Sequence, residues 1–151
     1  NRRFLDAVFF EKVMQDPTTY FPISAVVVDI DHFKKINDSY GHDIGDEALI
    51  HVATLMKDTV RTSDIVARTG GEEFLILFPY ATLTQAVKLA EKIRATIEQT
   101  PFEKGDIHHA ITASFGVATA LTDSNLHATL KQADDNLYKA KKHGRNQVVD
   151  E

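Results

Sequence analysis

Residues 64–78 read "DIVARTGGEEFLILF". Two apolar runs, Ile65 to Ala67 and Phe74 to Phe78, stand on either side of Gly70 and Gly71, and that spacing predicts two strands joined by a tight glycine turn. Glu72 and Glu73 follow the glycines directly. Adjacent carboxylates at the mouth of a core strand repel one another unless a cation or water stands between them. The hairpin is both the strongest fold signal in the chain and a chemical problem.

Upstream, "ISAVVVDID" (residues 23–31) is a β-branched run ending in acids, the pattern of a buried strand. Before it, Phe4, Leu5, Val8, Phe9 and Val13 recur at helical spacing, and Pro17 closes that segment. Between strand and hairpin, Ile44, Ala48, Val52, Leu55 and Met56 share one face of a helix over residues 43–60. Downstream, Thr82 and Gln85 form a capping box ahead of a helix through Leu83, Ala86, Val87, Ala90, Ile93 and Ile97. "ITASFGVAT" (residues 111–119) is another strand, and a last helix runs through Leu126, Leu130, Ala133, Leu137 and Ala140 to Gly144 at its C-cap. The order helix, strand, helix, hairpin, helix, strand, helix predicts an α+β domain. Its plan is ferredoxin-like, a split β-α-β arrangement with a central, mainly antiparallel sheet flanked by helices.

On that plan the acids gather. Asp29 and Asp31 lie two apart at the end of the first strand and point to one side, and Glu72 faces them if the hairpin lies alongside. Asp29, Asp31, Glu72 and Glu73 then form an all-oxygen cluster suited to a hard cation such as Mg2+, with phosphate oxygens completing the coordination. A solvated turn with two surface glutamates is the plainer alternative.

Composition narrows the class. A chain of 151 residues with 43% hydrophobic and 26% charged residues supports one ordinary core. The net charge of −5 argues against nucleic-acid binding and direct membrane contact, both of which favour basic surfaces. The absence of cysteine removes disulfides, thiolate nucleophiles and Cys-based zinc sites, and fits a reducing, cytoplasmic setting. No apolar run approaches the ~18 residues of a membrane span.

Beyond the hairpin, "DIDHFKKIND", "YGH", "GDEAL", "RTGGEEF", "SFGVA" and "ADDNLYKAKKHGRN" occur in this order, and with "NRR" at the start the chain resembles, almost end to end, the GGDEF domains, which are diguanylate cyclases. Residues 70–74 carry the GGEEF form of the signature. The resemblance implies a nucleotidyl-cyclase fold related to class III adenylyl cyclases and polymerase palm domains. It also implies two-metal phosphoryl transfer, with two Mg2+ per active site and Mn2+ as the alternative.

By the same resemblance, Asp29 and Glu72 are metal-ligating carboxylates, helped by the carbonyl of Ile30. Glu73 is a further ligand or helps deprotonate the attacking hydroxyl. Gly70 and Gly71 let substrate approach the backbone. Phe33 and Lys34 belong to the segment whose amides wrap the terminal phosphates, and Lys141 and Arg145 clamp those phosphates. Asn37 and Asp46 read guanine, although Asp46 also suits the N-terminal end of its helix. Arg61 and Asp64, an R-x-x-D motif, resemble the product-inhibition site, with Arg68 assisting.

The implied reaction condenses two GTP into cyclic di-GMP and two pyrophosphates. Each protomer holds one GTP, so a two-fold homodimer is required, and cyclic di-GMP is both product and inhibitor. The alternatives are a catalytically silent module that binds GTP or cyclic di-GMP, and a cyclase of altered base choice. The family's D-x-L-T turn does not precede "NRR". The expectation is therefore a single domain over residues 1–151 without its upstream sensory and dimerisation region, cytoplasmic even if the parent protein is membrane-anchored.

Overall fold

The structure, a computed structural model, describes residues 20–122 and 125–151. The helix expected over residues 2–14 lies outside them.

Strand β1 (Ile23–Ile30) is buried at all eight positions, the state that its run of valines and isoleucines anticipates. Fully burying each such side chain contributes roughly 1.5–3 kcal/mol. It leads to α1 (Phe33–Tyr40) and α2 (His42–Thr59), then to the hairpin strands β2 (Ile65–Arg68) and β3 (Glu73–Pro79). Helix α3 (Leu83–Gln99) begins at the anticipated capping box: Thr82 Oγ1 accepts from Gln85 N, and Gln85 Oε1 accepts from Thr82 N. A small hairpin, β4 (Phe102–Lys104) and β5 (Ile107–His109), precedes β6 (Ala113–Ala120), α4 (Leu126–Lys142) and the short β7 (Val148–Val149).

The main sheet has the order β2-β3-β1-β6-β7, antiparallel except for the β6–β7 pair. Its first four strands realise the split β-α-β plan, because β3 inserts between β1 and β2. Alternation along β1 divides two cores. Val26, Val28 and Ile30 pack with α1, α2 and α3 on one face, whereas Ile23, Ala25 and Val27 pack with α4 on the other. Asp29 belongs by parity to the α4 face.

Three features depart from the expectation. The segment before Gly41 forms its own helix, α1, and Gly41, at φ 90°, separates it from α2. The β2–β3 connection is a four-residue loop, not a tight turn: Thr69 N and Gly70 N both donate to Glu73 O, at 2.9 and 3.3 Å. Strands β4, β5 and β7, of three, three and two residues, are too short to show a hydrophobic period.

Candidate active site

The antiparallel β1–β3 register sets Asp29 opposite Glu73. It thereby brings the hairpin loop against the end of β1, where Ile30 N donates to Glu72 O at 3.1 Å. From the opposite face, the last turn of α4 reaches the same place, and Lys141 Nζ lies 2.7 Å from Asp29 Oδ2. That turn is fixed by a Schellman-type end: Arg145 N donates to Ala140 O at 2.9 Å across Gly144, whose φ is 115°. Asp29, Ile30, Asp31, His32, Phe33, Lys34, Glu72, Lys141 and Arg145 line one cleft of 170 Å3. A larger groove of 400 Å3 between α4 and β6 carries one carboxylate, Asp150, and lacks any comparable grouping of charges.

The expected cluster of four acids is not assembled; among the described residues no group of three or more His, Cys, Asp or Glu side chains could hold a metal ion. Asp31, although it borders the cleft, is occupied. Its Oδ1 accepts from Ser114 Oγ at 2.6 Å, and its Oδ2 accepts from Thr112 Oγ1 at 2.7 Å and Asn146 N at 3.0 Å. Glu73 does not line the cleft; Thr69 Oγ1 donates to its Oε1 at 3.4 Å. Two carboxylates, Asp29 and Glu72, remain. Burial pushes the Glu72 carboxyl above its ordinary range, and the negative charges of Asp29 and Glu73 push the same way, against the pull of Lys141. A carboxyl so disfavoured as an anion beside a second acid is a place where added positive charge is stabilising. With the Ile30 carbonyl, the donors are all hard oxygens and fit a divalent cation of the Mg2+ class.

The cleft also offers an anion the complementary features. Helix α1 starts at its edge, and its N-cap, His32 at φ 55°, makes no side-chain capping bond to the first-turn amides. Lys34, Lys141 and Arg145 supply cationic side chains beside that helix end. Gly70 and Gly71 border open space: a Cβ at Gly71 would meet no atom within 4 Å, and one at Gly70 only Glu73 Cβ at 3.5 Å.

The remaining expected residues lie outside this cleft. Asn37 sits against Gly45 where α1 meets α2, and its Oδ1 is buried without a hydrogen-bond partner among the described residues. Asp46 is exposed in the early turns of α2. Arg61 and Asp64 form a preset pair. Arg61 Nε and Nη2 donate to the buried carboxylate of Asp64, and Nη2 also donates to Pro79 O at 2.9 Å. The hydrogen bond to Asp64 raises the Arg61 guanidinium above its ordinary range. Arg68 is turned to its own hairpin loop, donating to Gly70 O at 3.0 Å and Gly71 O at 2.8 Å. Tyr138 is 60% exposed, with Lys142 Nζ 5.2 Å from its ring centroid.

Gly45 and Asn146 were not singled out by sequence. Asn146 carries the Asp31 contact in a left-handed backbone at φ 46°. The available signals were an intrahelical glycine in "HDIGDEAL" and the asparagine that closes "KKHGRN".

Comparison with known proteins supplies the frame. A family model described as "Diguanylate cyclase, GGDEF domain" matches residues 1–147. The chain is 42% identical over 152 residues to the response regulator PleD of Caulobacter vibrioides, covering 99% of this chain and 34% of that protein. It is 38% identical over 149 residues to the diguanylate cyclase DosC of Escherichia coli, covering 98% of this chain and 32% of that protein. It spans about a third of the length of these curated relatives. Among solved structures, the GGDEF domain of DgcB from Caulobacter crescentus, in complex with c-di-GMP, superposes with a TM-score of 0.87 at 30% identity, covering 99% of this chain and 90% of that one. No helix among the described residues is long and apolar enough to cross a membrane.

Proposed function

The chain belongs to the GGDEF domain family of diguanylate cyclases, and from that membership we propose that it condenses two molecules of GTP into cyclic di-GMP with release of two pyrophosphates. The observation that carries the reading is the meeting of Asp29, Glu72 and Lys141 in one cleft beside the uncapped start of α1.

In this reading the α1 amides with Lys34, Lys141 and Arg145 bind the triphosphate and fix the α-phosphate for in-line attack. The 3′-oxygen of a second GTP forms the new bond to that phosphorus as the bond to pyrophosphate breaks. Glu73, opposite Asp29 in the β1–β3 register but outside the cleft lining, would act as a further ligand or help to take the hydroxyl proton once its carboxylate turns toward the nucleotide. Asp29, Glu72 and the Ile30 carbonyl would hold Mg2+, two ions per site, or Mn2+ in its place. When bound, the metal lowers the cost of deprotonating the hydroxyl and neutralises the leaving pyrophosphate. Gly70 and Gly71 leave room for the nucleotide, consistent with the open space beside them.

Asn37 and Asp46 select guanine, whose N1–H and 2-amino group are adjacent donors. One cleft holds one GTP, so turnover needs a second copy of the chain across a two-fold axis. Cyclic di-GMP inhibits through Arg61, Asp64 and Arg68, the guanidinium forks suiting guanine or phosphate edges. Incubating the protein with GTP and, separately, ATP in Mg2+ and chromatographing the products tests this reading. Cyclic di-GMP from GTP alone is the expected result; binding without product would favour a silent receptor.

A further inference from the structure

We propose that Asn146 is a positioning residue for the triphosphate: it holds the turn after α4 in a left-handed backbone that aims the Arg145 side chain into the cleft. The inference rests on the GTP reading, in which Arg145 binds phosphate, and adds to it a residue outside the cleft lining.

Gly144, Arg145 and Asn146 have φ of 115°, 64° and 46°, three consecutive residues in the left-handed region. Glycine adopts it freely and asparagine tolerates it, but an arginine there is disfavoured and persists only where its surroundings impose the conformation. The Arg145 side chain does not impose it, since it is exposed at the cleft and makes no hydrogen bond or ion pair among the described residues. Its backbone donates to Ala140 O at 2.9 Å and accepts from Gln147 Nε2 at 3.0 Å.

Asn146 supplies the rest. Its N–H donates to Asp31 Oδ2 at 3.0 Å and to Ser114 Oγ at 3.2 Å, which ties the turn to the sheet. Its side-chain oxygen accepts from Arg94 Nη1 at 2.9 Å and its side-chain amide donates to Glu98 Oε2 at 2.6 Å, which ties the turn to α3. Arg94 is itself braced by Glu91 and Glu98. Ending α4 requires none of the bonds to α3, because the Arg145 N–H already closes that helix. One residue thus uses its N–H and both ends of its side chain to fix the turn that carries the guanidinium. Backbone angles set where a side chain points, so a turn relaxed toward right-handed angles would aim the guanidinium elsewhere. Fixing it in advance removes part of the ordering cost when phosphate binds.

The test measures binding to the 151-residue chain by calorimetry in Mg2+, using the α,β-methylene analogue of GTP directly and GMP by competition with it. Asn146→Gly keeps the backbone N–H and the access to left-handed angles but removes the tie to α3. It should bind the triphosphate analogue about 10-fold more weakly and GMP less than about 2-fold more weakly, since GMP lacks the terminal phosphates. Arg145→Ala should weaken binding of the analogue at least as much, and adding Asn146→Gly to it should cost no further affinity. Should Asn146→Gly not fold, Glu98→Ala takes its place by removing the acceptor of the Asn146 amide. It should weaken binding of the analogue about 3-fold alone and not at all beside Arg145→Ala. Parental affinity in the variant, equal losses for both ligands, or losses that add across the cycle overturn the role of Asn146 and leave the GTP reading standing. An Arg145→Ala variant with parental affinity overturns the inference together with the phosphate role of Arg145, and a parent that does not bind the analogue overturns the GTP reading as well.

Discussion

Asp29 and Asp31 look alike in the sequence, two acids at one strand end, yet the fold gives them different surroundings. Asp29 meets Lys141, whereas Asp31 collects donors from Thr112, Ser114 and the backbone of Asn146. Those donors lie 81 to 115 residues away along the chain, so no local pattern could have revealed them. The contact of Gly45 with Asn37 is hidden for a different reason: the two are near in sequence but lie on separate helices across the break at Gly41, so no single helical period relates them. Asp29, Glu72, Lys141 and Arg145, by contrast, were legible as a set because each sits inside a spaced motif. Asp31→Asn keeps the shape but replaces one accepting oxygen with an NH2 group that donates and cannot accept. It should destabilise the domain by about 1–3 kcal/mol, the cost of leaving buried donors unmatched. A melting temperature indistinguishable from the parent's would show that the Asp31 network is not structural.

Among the elements, those with a long apolar period, α2, α3, α4, β1 and β6, could be read from sequence to within a few residues, as could the ends of α3 and α4 from their caps. Strands β4, β5 and β7 could not, since two or three residues carry no period and their pairing is set by the elements around them. The packing of α4 on the sheet depends on Gly116 in β6. A Cβ there would lie 2.1 Å from Ala133 O and 2.2 Å from Leu137 N, both backbone atoms of α4. Gly116→Ala should therefore push α4 outward and cost about 1–3 kcal/mol or more, read as a fall in melting temperature. Because Lys141 rides on α4, it should also weaken GTP binding.

A second link at this scale ties α3 to the loop after α4: Asn146 Nδ2 donates to Glu98 Oε2 at 2.6 Å, and Arg94 Nη1 donates to Asn146 Oδ1 at 2.9 Å. The Asn146 hydrogen bond, with help from Arg94, holds the Glu98 carboxyl below its ordinary value of 4.5. The stability this confers is present above that value and is lost as pH falls through the lower folded-state value. The gap in melting temperature between the parent and Glu98→Gln should therefore be larger at pH ~6 than at pH ~3. A gap independent of pH would show that the Glu98 contact does not persist in solution.

For the molecule as a whole, the sheet order makes the site. Inserting β3 between β1 and β2 puts the GGEEF loop beside the acid-tipped end of β1, and burying β1 on both faces lets α1 and α4 approach that end from opposite sides. This architecture was legible in the sequence because a hairpin following a strand and a helix leaves few un-knotted pairings. The four-carboxylate cluster was a misreading, since the sequence places acids but not the hydroxyls and amides that claim them. We propose that the two carboxylates left in the cleft, Asp29 and Glu72, make it a GTP-condensing site that works between two copies. The most direct test is production of cyclic di-GMP from GTP and Mg2+ by the parent and by Glu72→Gln over a range of protein concentrations. The parent rate should rise faster than linearly with concentration, and the Glu72→Gln protein should fold but yield no product. Cyclic di-GMP formed by Glu72→Gln at the parental rate would contradict the proposal.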